Sequence, residues 1–112
     1  MTVQPLEHDD APLVIVVTTV DDEAAAERLA RMVVERRLAA CVQTSEIASV
    51  YRWEGQVTTG REWRLDCKTT RDGMNALMAA LAEAHPYDEP EVVALRARAS
   101  TGYAGWVAAE TG

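Results

Sequence analysis

The feature that most constrains the fold is an unbroken run of mostly β-branched residues, LVIVVTT at 13–19. Branching at Cβ favours extended backbone, and an apolar run without alternation is typical of a strand that is covered on both faces. Such a strand must lie inside a sheet, with a neighbour on either side. We therefore predict a central strand over 13–19.

Two stretches place apolar residues at helical spacing. Asp21 and Asp22 precede the first, over 23–37, and a carboxylate there caps the free N–H groups at a helix start. The second stripe, extended by four residues, reaches His85, where Pro86 disfavours further α geometry. The stripes are Ala25, Ala26, Leu29, Met32 and Val33 in the first stretch and, from Asp72 onward, Met74, Leu77, Met78 and Leu81 in the second. Both predict amphipathic helices.

The middle of the chain predicts strands joined by a turn. LAACV at 38–42 and ASVYRWEG at 48–55 have strand character, and the QTSEI between them is polar enough to bend or interrupt the strand. A turn region is expected from Glu54 to Gly60. After it, REWRLDCKTT at 61–70 alternates one apolar with one polar face, which is the period of a half-covered strand.

The two ends of the chain have different characters. EVVALRARA at 91–99 alternates, which predicts a last strand, and TGYAGWVAA at 101–109 follows as a short aromatic extension. Residues 1–12 contain acids and two prolines without periodicity, so a flexible N-terminal arm is expected there. The remaining residues, 13–112, are expected to form a single domain.

The order strand, helix, strand, strand, helix, strand is that of the ferredoxin-like fold, an α+β sandwich with βαββαβ connectivity. Right-handed crossovers place both helices on the same face of the sheet. The other face then lacks cover, although the first strand is apolar on both sides. Because apolar surface of that size usually marks an interface, we expect an oligomer.

The charge and hydropathy of the chain exclude several classes of partner. The net charge is −7, from 18 acidic against 11 basic residues, which disfavours binding to nucleic acid or to an anionic membrane. The longest apolar run, Leu13 to Val17, is far shorter than the roughly 20 residues that span a bilayer, so no stable membrane insertion is expected. The first residues have neither the basic start nor the apolar core of a signal peptide. A cytoplasmic location follows, with Cys41 and Cys67 as free thiols.

The stretch AHPYDEPEV at 84–92 contains the most interesting candidate for chemistry, His85. Its imidazole could bind a metal ion together with cysteine sulfur or the oxygens of Asp88 and Glu89. Alternatively, it is only the last residue of a helix that Pro86 forbids to continue. No CxxC, HxxxH or HExxH spacing is present, so a metal site must be assembled from separate segments or subunits.

Two further kinds of site have less support in the sequence. A nucleophile such as Cys67 or Ser49 paired with His85 requires a third group to orient the imidazole, and no local motif supplies one. A small-anion pocket could use Lys68, Arg52 and the free N–H groups at the start of the second helix. A cross-strand ion pair explains Lys68 equally well.

Taken together, five segments resemble the CutA divalent-cation (copper) tolerance family. They are TTVDDEAAAERLARMVVERRLAACV, SVYRWEG, KTT, HPYDEPEV and YAGW, and the resemblance runs from about Leu13 to Val107. It implies a ferredoxin-like subunit in a PII-like homotrimer. It further implies a link to copper and other divalent metal ions, with no catalytic activity.

The resemblance also carries functional residues over to this chain. The cysteine and the two adjacent histidines that bind copper in some bacterial members correspond to Thr18, Ala84 and His85. His85 remains as a metal ligand, and Cys41 in LAACV matches a characteristic family cysteine that is either a ligand or a buried thiol.

Other shared family residues are expected to line the clefts between subunits: Tyr51, Trp53, Glu54, Lys68 and Tyr87. Polar clefts of this kind suit a small ligand or ion. The alternative function is therefore a signalling or scaffold trimer that binds a small anionic metabolite through Lys68. Charged Arg64 and Asp66 in the third strand, where apolar residues are common in the family, are expected to alter the surface between subunits.

Overall fold

The computed structural model describes residues 11–112, which form one β-sheet and three α-helices. In chain order the elements are β1 (Leu13–Val20), α1 (Glu23–Glu35), β2 (Cys41–Trp53), β3 (Gln56–Thr70), α2 (Met74–Ala84), β4 (Val92–Ala97) and α3 (Thr101–Glu110). The expected N-terminal arm falls on residues 1–10, outside the described residues, and on the two residues before β1. The predicted order of strands and helices is confirmed as far as β4.

The sheet is antiparallel throughout and has the strand order β2-β3-β1-β4. β1 is a central strand, paired with β3 on one side and β4 on the other, as its unbroken apolar run predicted. This arrangement is the ferredoxin-like α+β fold.

The core lies between one face of the sheet and the helices α1 and α2. Its fully buried members include Val16, Leu65 and Cys67 from the strands and Val33, Leu77 and Leu81 from the helices. Burying a side chain the size of leucine contributes about 2 kcal/mol, so these contacts account for much of the stability. Asp22 caps the start of α1, because its Oδ2 accepts the N–H of Ala25 at 3.2 Å.

The opposite side of the sheet, here called the open face, contains the residues of β1, β3 and β4 that alternate with the core residues. Ile15 pairs with Leu95 and Lys68 across the strands, and Val17 pairs with Val93. Part of this face is covered by α3, whose Tyr103 ring lies under the Lys68 ammonium at 5.4 Å from the ring centroid. Val93 and Leu95 are nevertheless 45% and 48% exposed. An apolar strip therefore remains uncovered within one chain.

Two details of the predicted secondary structure are wrong, and one segment for which the sequence predicted no secondary structure is helical. β2 is one continuous strand that starts at Cys41, because every residue from Cys41 to Trp53 has a partner on β3 despite the polar QTSEI segment. The turn between β2 and β3 contains only Glu54 and Gly55, with φ values of 49° and 78°, and does not extend to Gly60. The extension at 101–109 belongs to a helix, α3.

A link between the ends of α1 and α3 explains why the last segment is helical. Arg37 Nε and Nη2 donate to the carbonyl oxygens of Gly112 and Ala109 at 3.0 and 2.8 Å, and the N–H of Gly112 donates to the Arg37 carbonyl at 3.0 Å. Val107 is fully buried. Long-range contacts therefore hold a helix whose glycines give it low intrinsic propensity.

The backbone of Arg37 is strained at the position where it makes this link. It follows the end of α1 with a φ of 59°, and the N–H groups of Arg37 and Leu38 return to the carbonyls of Val34 and Val33. This is the Schellman arrangement, in which glycine is the usual residue at the left-handed position. A non-glycine residue there costs about 1 kcal/mol or slightly more.

We expect Arg37→Ala to lower the free energy of unfolding by about 1–2 kcal/mol, because the charged hydrogen bonds to α3 are lost and the strain is kept. Arg37→Gly loses the same bonds but relieves the strain, so its loss should be smaller by about 1 kcal/mol. Urea unfolding of the two variants beside the wild type measures both effects. Equal losses would show that the left-handed backbone is not strained.

Candidate functional site

A groove of about 770 Å³ lies between the outer half of the β2–β3 hairpin and the loop that joins α2 to β4. It is called the tyrosine groove here. Its lining residues are Thr19, Asp21, Ser49, Val50, Tyr51, Trp53, Gly60, Arg61, Glu62, Tyr87, Asp88, Glu89 and Glu91. The volume is within the range of small-ligand sites.

Aromatic side chains form part of the groove wall. Tyr51 and Trp53 come from the end of β2, where they occupy alternate positions and therefore the same face of the strand. Tyr87 comes from the loop and is half-buried. Trp53 is 62% exposed, which is unusual for so large an apolar ring. These three residues line one groove within a single chain, and the expectation that they lie in a cleft between subunits stays a prediction.

The groove is strongly acidic. Five carboxylates line it, from Asp21, Glu62, Asp88, Glu89 and Glu91, against the single guanidinium of Arg61. Arg61 is ion-paired with Glu46, outside the lining, so its charge is already compensated. A field of this sign attracts cations and repels anions.

The phenol of Tyr87 lies close to the carboxylates of the groove. Its O–H donates to Glu62 Oε2 at 3.3 Å. Burial raises the pKa of the Tyr87 phenol well above its usual range, and the negative charges of Asp21 and Glu62 raise that pKa further. The phenol is therefore a hydrogen-bond donor to Glu62 at any physiological pH.

His85 lies behind the groove and ends α2. Its Nε2–H donates to the carbonyl oxygen of Thr19 at 2.9 Å, and its Nδ1 accepts the N–H of Tyr87 at 3.1 Å. The ring is buried and contacts the Tyr87 ring, with the centroids 4.8 Å apart. Both ring nitrogens are thus engaged, and the bonds tie the loop that presents Tyr87 to the end of β1. Metal binding through either nitrogen would require one of these bonds to break.

Cys41, the other residue expected to bind metal, lies elsewhere on the sheet. It pairs with Lys68, level with Ile15 on β1, whereas His85 meets β1 at Thr19. Four residues along a strand correspond to about 13 Å, several times the separation of two ligands of one ion. Within one chain, His85 and Cys41 therefore lie too far apart to bind the same ion.

Lys68 and Glu54 do not line the tyrosine groove. Lys68 Nζ donates to Gln43 Oε1 at 2.8 Å and lies over the Tyr103 ring. It is ten residues along β3 from Thr58, the partner of Tyr51, or about 33 Å of extended strand. Glu54 occupies the hairpin turn and is exposed.

Two further residues named from the sequence, Cys67 and Thr18, are buried in the core, whereas Ser49 lines the tyrosine groove and Arg52 is exposed. Cys67 is fully buried, and burial first, then the charge of Asp66, raises the pKa of its thiol to about 12, which does not suit a nucleophile. Thr18, which the resemblance matched to a copper-binding cysteine, is also fully buried. Within residues 11–112, no group of three or more His, Cys, Asp or Glu side chains is arranged to hold a metal ion.

The sequence reasoning missed several groove residues, above all Asp21 and Glu62. Asp21 was considered only as a helix cap, but Asp22 performs that role. Glu62 is one of the polar residues of the alternating third strand, and no local pattern distinguishes it. A usable signal was the density of acids in HPYDEPE, which predicts that the loop contributes negative charge wherever it lies.

These features define a small ferredoxin-like α+β protein with an acidic groove walled by aromatic rings. The sequence model of a known family, described as the CutA1 divalent ion tolerance protein, matches residues 14–110. The chain belongs to this family.

Known relatives resemble this chain over most of its length. The divalent-cation tolerance protein CutA of Thermus thermophilus is 39% identical over 100 residues, which cover 88% of this chain and 97% of the relative. The solved structure of CutA from Synechococcus elongatus PCC7942 superimposes with a TM-score of 0.88 at 36% identity, over 92% of this chain and 93% of that one. A rice relative named as the chloroplastic protein CutA 1 is 42% identical over 85 residues, covering 75% of this chain and 48% of the relative.

The helices of the structure, all within residues 11–112, are too short or too polar to span a membrane.

Proposed function

We propose that this protein is a nonenzymatic homotrimer that binds divalent cations weakly through carboxylates of the tyrosine groove. The observation that carries the proposal is the charge of the groove, where five carboxylates face one compensated guanidinium. Family membership supports the divalent-cation role, since the family is described by tolerance of such ions and not by a reaction. The two free thiols suit a reducing compartment such as the cytoplasm.

The trimer is supported by the uncovered strip of the open face. Val93 and Leu95 lie on the same face of β4, where they pair with residues of β1. Their large apolar side chains are exposed, and a monomer rarely leaves such a strip in water. The hairpin ends in exposed Trp53 and Val57, which extends the apolar surface available to neighbouring subunits.

Weak binding follows from the spacing of the carboxylates. Because no three ligand side chains converge within the described part of one chain, a metal ion keeps most of its water and contacts one or two oxygens. Dissociation constants on the order of 10⁻⁴ to 10⁻³ M are expected, as in sites with few fixed ligands. His85 and Cys41 as direct ligands remain a prediction that competes with this one. The acidic groove gives no support to an anionic metabolite.

We expect the double variant Glu62→Gln/Asp88→Asn to weaken Mn(II) and Cu(II) binding by at least about fivefold, because each carboxylate near a bound ion contributes about 1 kcal/mol or more. Glu62→Gln keeps an oxygen that accepts the Tyr87 O–H. Calorimetric titration of the intact protein measures the affinities, with Glu35→Gln/Asp72→Asn as a control that removes the same charge outside the groove.

The competing ligand prediction is tested in the same titrations. His85→Asn and Cys41→Ser each remove a soft ligand and keep every groove carboxylate, so both should bind Mn(II) and Cu(II) like the wild type. Loss of copper binding in either variant, with no loss in the carboxylate variant, would contradict the groove as the cation site.

A further inference from the structure

We propose that Arg64 and Asp66 make the self-association of this protein selective, because they form ion pairs with the same two residues of neighbouring copies. The inference rests on the proposed homotrimer and names the charged contact that decides which chains can join it. It starts from an unusual neighbourhood on the open face, where a half-exposed ion pair lies beside the uncovered apolar strip.

The strand register places the ion pair within the area that a neighbouring copy would cover. Asp66 pairs with Val17 on β1, and Val17 pairs in turn with Val93 on β4, so these residues form one row across the open face. Neighbouring strands are about 4.8 Å apart, which puts the backbone of Asp66 about 10 Å from that of Val93. A stable interface covers about 800 Å² of each partner, a patch about 30 Å across. A patch of that size centred on Val93 includes Asp66 and Arg64.

The contact within one chain uses only part of the hydrogen-bonding capacity of the pair. Arg64 Nε donates to Asp66 Oδ1 at 2.9 Å, and within residues 11–112 this is the only side-chain hydrogen bond of either residue. The side chains are 43% and 32% exposed, so water can satisfy the terminal guanidinium nitrogens and the second carboxylate oxygen in a single chain. When a neighbour covers the face that water is lost, and these groups then require partners from the neighbour.

A second copy of this chain supplies matching groups. The pair presents one guanidinium and one carboxylate on the same face of β3, about 7 Å apart along the strand. In a closed ring of three copies each subunit meets the next in the same way, so an ion pair from Arg64 to Asp66 of the partner subunit recurs at every contact. An apolar surface has no acceptor for the guanidinium and no donor for the carboxylate. Charge complementarity therefore favours a copy of this chain over a partner that is apolar there.

The first experiment reverses one charge at a time and follows the mass in solution by light scattering over a dilution series. Arg64→Asp and Asp66→Arg each place two like charges on the open face of every copy. Their trimers should dissociate at a protein concentration at least about tenfold higher than the wild type does. Arg31→Asp and Glu27→Arg change the net charge by the same amounts in an exposed ion pair of α1, and both should dissociate like the wild type.

Mixing the two single variants separates contacts between copies from the contact within one chain. Neither variant can form the pair within its own chain, because Arg64→Asp leaves two carboxylates and Asp66→Arg leaves two guanidinium groups. An equimolar mixture should nevertheless recover trimers that contain both variants, which native mass spectrometry detects by their masses. Variants that dissociate alone and do not recover on mixing would overturn the proposal, since the pair would then act only within one chain.

Selectivity itself is tested with Arg64→Leu/Asp66→Leu, which removes both charges and keeps the net charge. This variant should form trimers of its own, since apolar side chains often replace a buried ion pair without loss of stability. Trimers that mix it with the wild type should be at least about tenfold rarer than random mixing gives, because they leave charges buried without partners.

The outcomes distinguish this inference from the proposed function. Random mixing of the leucine variant with the wild type would overturn the selective role of the pair. A wild-type trimer whose dissociation neither charge reversal changes would overturn this inference and leave the proposed homotrimer standing. A wild-type protein with the mass of a single chain would overturn both.

Discussion

Replacing His85 with alanine is expected to lower the free energy of unfolding by about 2–4 kcal/mol. The substitution removes a buried ring and both of its hydrogen bonds, to the carbonyl of Thr19 and from the N–H of Tyr87. Each buried polar group left without a partner costs about 1–3 kcal/mol, which is why the loss exceeds that of an ordinary surface change. Urea unfolding at fixed protein concentration and without metal measures it.

Two conservative variants show whether the hydrogen bonds are responsible. Asparagine can supply an acceptor near the position of Nδ1, and glutamine can supply a donor near the position of Nε2, so each should recover part of the loss. The expected order of stability is wild type, then His85→Gln and His85→Asn, then His85→Ala. An alanine variant as stable as the wild type would show that the imidazole has no structural role. That result would favour the interpretation of His85 as a metal ligand.

The position of His85 shows how local and long-range constraints combine in one motif. Pro86 ends α2 at the place that the sequence predicted, and the backbone of His85 is extended there. The sequence left open whether the residue has a structural or a metal-binding role. The hydrogen bond that gives His85 a structural role, to Thr19, joins residues 66 positions apart, and no local pattern encodes such a pair.

Local patterns predicted the elements that depend on local chemistry. The apolar run of β1, the stripe of α1 and the alternation of Leu65 and Cys67 each require one particular environment, and the fold provides it. β2 was divided in two because the polarity of QTSEI was interpreted locally. Its pairing with β3 satisfies the backbone along the whole strand, and its polar side chains simply face water.

The candidate site was predictable only in part, for the same reason. Tyr51, Trp53 and Tyr87 came from the family resemblance, and the groove contains all three. Asp21 and Glu62 reach the groove only because the end of β1 and the middle of β3 pass beside the loop after α2. Lys68 lies far along β3 from Tyr51 within one chain, so its expected place in a cleft between subunits stays a prediction.

Placing lysine at both Val93 and Leu95 is expected to convert the proposed trimer into monomers. The mass in solution should fall from about 37 kDa, for three chains of 12.3 kDa, to that of a single chain. Both side chains belong to the uncovered strip of the open face, and burying an unpaired ammonium in an interface costs several kcal/mol. Light scattering at micromolar protein concentration measures the mass.

The choice of lysine and of a control variant shows whether a lower mass in solution is caused by loss of the interface, by net charge or by misfolding. Because the chain has a net charge of −7, two added lysines reduce the overall repulsion between subunits, so dissociation could not be attributed to net charge. Lysine on an exposed edge strand is well tolerated, and β4 should therefore keep its fold. Val34→Lys, on the outer side of α1 and 40% exposed, should leave the mass unchanged. A double variant that keeps the mass of the wild type would mean that the subunits meet through another surface, such as the hairpin that ends in Trp53.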